Sequence, residues 1–102
     1  MVKIVYESKV AKFLGVDGLV LYPFVLLPKS KEDTDEVVLK HEFTHVEQIE
    51  RDGVCAFYLS YLKGLVKWGS VEKAYENNVY EIEAYKKETR RLTIAQRSRI
   101  YN

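Results

Sequence analysis

The apolar positions of the chain change period near residue 35. Before it they suit strands. Val2, Ile4 and Tyr6 fall on alternate positions, which predicts a short strand over Val2–Tyr6. Ser8–Leu14 fits a helical turn, and Gly15 and Gly18 bracket the turn after it. Leu19–Leu27 is rich in strand formers, with Pro23 in its middle. Proline has no amide hydrogen to give to a ladder, so this segment is expected as an edge strand or a bulged one. Residues 28–34 read as a polar loop.

After residue 35 the period is helical. A long helix is predicted from Asp33–Asp35 to Asp52, capped by Asp33 or Thr34 and stopped by Gly53. Asp35 and Glu36 suit the positive end of its dipole. A second helix over Val54–Lys67 puts Phe57, Tyr58, Tyr61, Leu62, Leu65 and Trp68 on helical spacing, with Gly64 weakening its end. Ser70 caps a third, which Asn77-Asn78 interrupts and which resumes through Tyr80, Ala84, Tyr85 and Leu92. Residues 93–102 show no clear period.

Composition narrows the picture. A chain of 102 residues is one domain with one small core. Sixteen basic residues nearly cancel fifteen acidic ones, so no overall field points to nucleic acid. Six basic side chains against Glu88 over Lys86–Arg99 read as a solvated face. The start lacks the apolar stretch of a signal peptide, and Leu19–Leu27 and Val54–Leu62 are too short to span a bilayer. A cytoplasmic protein is the expectation. Cys55 is alone and cannot form a disulfide within the chain; it is expected as a small buried side chain.

The chemistry sits in the long helix, at His41-Glu42-Phe43-Thr44-His45. Histidines four apart lie one above the other on a helix face, so their rings can meet at one ion. Imidazole suits zinc, and three protein ligands leave a position for water. Glu42 then takes a proton from the water that the metal activates. The chain has only two histidines, and both fall in this motif. Two placed at random would be four apart about one time in fifty, so the spacing is informative.

No histidine remains for a third ligand, and Gln48 and Arg51 occupy positions that a metzincin pattern would fill with glycine-histidine spacing. A later carboxylate is the remaining choice, from Glu72, Glu76, Glu81, Glu83 and Glu88. Glu83 has Lys86 and Lys87 one turn on, which marks a solvent face. Glu81 has Ala84 and Tyr85 there instead, a less polar face better suited to a buried charge with a partner. Glu81 is therefore expected as the third ligand, with Glu76 next.

These segments together carry a resemblance. Gly18–Leu27, then His41–Gln48, then Asn78–Tyr85 are similar to the strand, HExxHxxQ helix and Glu-x-Glu-Ala-Tyr helix of minigluzincins and of small bacterial and phage proteins of that kind. The likeness covers roughly residues 18 to 88. It implies an α+β, zincin-like minimal domain: a small N-terminal sheet packed on the HExxH helix, followed by two to three further helices. It implies one Zn2+ held by His41, His45 and Glu81, and a peptidase using Glu42 as general base. A peptide or protein substrate would pair with the edge strand Leu19–Leu27. The aspartate that many gluzincins place four residues after the ligand is Tyr85 here. The ring orientation must then come from Gln48, Asn78 or a backbone carbonyl. Tyr85 is the candidate to stabilise the developing oxyanion. Minigluzincins held inactive by flanking tails imply that residues 93–102 cover the cleft. A core this small also suggests a homodimer or stabilisation by the metal. The competing reading is a zinc-binding module without turnover.

Overall fold

A computed structural model describes residues 2–101. Three short strands and six helices make an α+β fold. The strands are β1 (Lys3–Val5), β2 (Leu19–Leu21) and β3 (Phe24–Leu26), with α1 (Lys9–Leu14) between the first two. The helices α2 (Glu36–Asp52), α3 (Val54–Trp68), α4 (Val71–Glu76), α5 (Val79–Lys87) and α6 (Ile94–Tyr101) follow.

The expected single strand over Leu19–Leu27 is instead a hairpin. Pro23 lies in its turn after a cis Tyr22-Pro23 bond, and β2 and β3 pair antiparallel on either side. The missing amide hydrogen is thus placed where no ladder bond is needed. Sheet order is β1-β3-β2, so β2 is an edge and β3 is central, parallel to β1. Ile4, Val25 and Val20 form one row across the sheet. That row faces Leu39, Phe43, Val46 and Ile49 of α2, and these form the core with Leu27, Phe57, Leu92 and Ile100.

Asp35 caps α2, accepting from the Val37 N–H at 3.0 Å. Asp33 and Thr34, expected in that role, are held by Ser30 instead. Gly53 ends α2, and Ser70 and Asn78 cap α4 and α5, so Asn77-Asn78 does break the third helical stretch. Gly64 lies within α3, which continues to Trp68 and ends at Gly69 in a left-handed conformation. The apolar spacing of α3 overstates its burial: of its side chains Phe57 is fully buried, whereas Leu62 and Val66 are exposed. Cys55 is exposed too, not buried.

Residues 94–101 are helical, contrary to the reading of the tail as aperiodic. Their period escapes notice because only Gln96 and Ile100 face inward, and one of these is polar. Gln96 accepts from the Lys40 ammonium at 2.8 Å and donates to Glu47 at 2.7 Å. Arg97 and Arg99 pair with Glu36 and Glu50. These partners mark one stripe of α2, and His41 and His45 lie on the opposite stripe. No residue of α6 lines the cleft beside the histidines. No helix among the described residues is long and apolar enough to cross a membrane.

Candidate metal centre

Two helices build the site. α2 supplies His41, Glu42 and His45, and α5 lies against it with Glu81 in its first turn. The Glu81 carboxylate bridges the two imidazoles, with Oε1 at 3.0 Å from His41 Nε2 and Oε2 at 3.1 Å from His45 Nε2. The donor atoms of these three residues all lie within 4.8 Å of one another, and the group could hold a metal ion. Donors around a small tetrahedral cation sit about 3.4 Å apart. Two imidazole nitrogens with a carboxylate oxygen are a suitable donor set for such a cation. The residues therefore fit a divalent cation.

Each of the three side chains is held from behind. His41 Nδ1 lies 2.8 Å from Glu88 Oε2, and His45 Nδ1 lies 2.8 Å from Gln48 Oε1. Gln48 is itself fixed by donating to the Tyr80 carbonyl at 3.0 Å and to Glu83 at 2.7 Å. The Tyr61 hydroxyl donates to Glu81 Oε2 at 2.6 Å. Such contacts fix ring orientation and ligand basicity. Of the orienting groups considered from sequence, Gln48 takes the role and Asn78 does not; Asn78 caps α5 and donates to Ser60. Glu88 was expected only as an alternative ligand. Its signal is spacing: Glu81, Tyr85 and Glu88 fall at i, i+4 and i+7 on one face. Tyr61 read as core, and no sequence signal separates it from its neighbours. Glu76, next to Glu81 in expectation, is not among the three converging donors.

Electrostatics organise the site without an ion. Burial alone would depress the His41 imidazolium, but Glu81, Glu42 and Glu88 outweigh it and raise its pKa to about 9. Burial likewise opposes the Glu81 carboxylate, and hydrogen bonds from His41, His45 and Tyr61 overcome that and hold it far below the usual range. A proton on His41 would thus tie α2 to α5 through Glu81. Glu42 differs. Burial pushes its carboxyl up, and the two imidazoles only partly reverse the shift. Burial and Glu81 push the Tyr61 phenol above its ordinary value, so it remains a donor.

The site opens to a cleft of about 530 Å³. His41, Glu42, His45 and Glu81 line it together with β2 and with tyrosines of α3 and α5. Gly18, just before β2, lies against Glu42. A Cβ there would be 2.7 Å from Glu42 Cγ. Tyr85 is mostly exposed at the cleft, with its ring 4.7 Å from that of His41. Burial and the carboxylates of Glu81 and Glu88 raise its phenol, keeping it protonated.

Comparisons of the chain with protein-family models, curated proteins and solved structures find no match.

Proposed function

We propose that the protein is a zinc-dependent hydrolase of peptide bonds. The observation that carries this reading is one arrangement: His41, His45 and Glu81 converge, and the Glu42 carboxylate lies beside them at an open cleft. The cation would be zinc, which these donors suit and which supplies Lewis-acid polarisation of water and of a carbonyl oxygen. His41, His45 and Glu81 hold it. Glu42 makes no ligand contact and takes the proton from the attacking water; its raised pKa suits a base that must later release that proton to the leaving amine. Tyr85 offers a protonated phenol at the cleft mouth to the developing oxyanion. β2, as the sheet edge along the cleft, offers backbone groups to an extended peptide.

The test compares wild type with Glu42→Gln. Both should retain close to one equivalent of zinc after purification with zinc supplied, and only wild type should cleave a peptide library. Less than a tenth of an equivalent in wild type would end the metal assignment. Full zinc with no cleavage by wild type would leave a metal-binding module without turnover.

A further inference from the structure

Tyr58 occupies the place where a bound strand would pair. Residues of an antiparallel strand direct their N–H and C=O alternately toward one neighbour and then the other. In β2, opposite Val25, the Val20 carbonyl points away from β3, as its contact with α3 shows. The Tyr58 hydroxyl donates to that carbonyl at 2.7 Å and accepts from the Tyr22 N–H at 3.1 Å. One phenol thereby satisfies two groups of the open edge, as the backbone of an added strand would. Its ring packs on Phe57, centroids 5.1 Å apart, which holds the hydroxyl there.

The edge that remains is short. By the same alternation it consists of the Val20 N–H and, one step back, the Gly18 carbonyl. Gly18 is also the residue in contact with Glu42. We infer that Tyr58 truncates the peptide-binding edge, so that the site takes peptides with no more than two or three residues before the bond cleaved. This rests on the peptidase reading above. A peptide added antiparallel to β2 runs from the Tyr22 end toward Gly18. Its residue opposite Val20 accepts from the Val20 N–H, and the residue two further on donates to the Gly18 carbonyl. The N–H of that residue opposite Val20 would go to the Val20 carbonyl, and the residue two before it would accept from the Tyr22 N–H; Tyr58 already holds both groups. Because Glu42 acts beside Gly18, the bond cleaved lies two or three residues past that block. The substrate class is therefore peptides cut close to a free amino end.

The experiment uses zinc-loaded full-length protein and two quenched peptides sharing everything after the scissile bond. One has two residues before it and the other has six; mass spectrometry locates the cut. Wild type should favour the short peptide at least tenfold in kcat/KM. Tyr58→Phe keeps the ring and frees both backbone groups, so the preference should shrink about tenfold. Equal rates in wild type, or a preference unmoved in Tyr58→Phe, would overturn the inference. Two readouts do not need turnover. The Tyr22 amide should exchange slowly in metal-free wild type and faster in Tyr58→Phe; equal exchange refutes the seal. If neither protein cleaves any peptide, the peptidase reading fails by itself. Binding of the six-residue form must then still be several-fold tighter to Tyr58→Phe, or the truncated edge is wrong as well.

Discussion

Replacing Gly18 with alanine tests whether Glu42 works from the position it occupies here. The new Cβ would lie 2.7 Å from Glu42 Cγ, 2.9 Å from Cδ and 3.0 Å from Oε2, where ordinary contact begins at 3.4 Å. The side chain must retreat by about 0.7 Å. It has little room, being only 7% exposed. A displacement approaching 1 Å at a catalytic group costs up to about a hundredfold, so kcat/KM should fall about 30- to 100-fold, or about 2–2.7 kcal/mol. The crowding itself should cost about 1 kcal/mol of stability, the low end for overpacking, because the obstacle is a rotatable side chain. Metal content should not change, since Glu42 is not a ligand. Steady-state cleavage, metal analysis and thermal melting read the three quantities separately. Wild-type kcat/KM in Gly18→Ala with a full metal complement would refute the placement of the base.

The other expected outcomes follow, on the proposed zinc reading, from the neighbours of His41, His45 and Glu81. Glu88→Ala removes the carboxylate behind His41 and should weaken zinc binding about 10- to 100-fold in a chelator competition; an unchanged Kd would deny Glu88 its orienting role. Since the His41 pKa in the metal-free protein is about 9, its proton must leave before the ring can ligate. Affinity should therefore rise with pH up to about 9, about tenfold per unit from this proton alone; calorimetry in buffers of different ionisation enthalpy should show at least one proton released near pH 7, and none released would contradict the shift. Deleting residues 93–102 should lower stability by about 1.5–3 kcal/mol through loss of buried Ile100, without raising peptide cleavage; activation on deletion would show that the tail reaches the cleft.

The features legible in the sequence are those set by spacing inside one element. His41 and His45 share a helix face by their four-residue separation, and Glu81 was separable from Glu83 by the company each keeps on α5. The stop at Gly53, the cap at Ser70 and the break at Asn77-Asn78 are local as well, although the capping role of Asn78 shows only in the structure. What escaped depends on contacts between elements. Tyr58 and Tyr61 both look like core residues of α3, and only packing reveals that one hydroxyl meets β2 and the other meets Glu81. The hairpin was missed because strands of three residues are too short to display a period on each side of Pro23. α6 was missed because its inward positions are few and one is glutamine, whose buried amide is matched by Lys40 and Glu47 from another helix.

The order of the three candidate ligands along the chain has a consequence for folding. His41 and His45 precede α3, and Glu81 follows α4, so a bound ion would close a loop of about 40 residues containing both helices. A cross-link of that span removes about 4 kcal/mol worth of freedom from the unfolded chain, a large share of the 5–15 kcal/mol typical of a whole domain. Phe57 is the one fully buried side chain of α3, and Leu59, Leu62, Leu65 and Val66 are exposed. The ion would thus serve as a clasp across the segment that carries α3 and α4, and loss of the ion should be felt first in the opening of α3 and α4 rather than in the sheet.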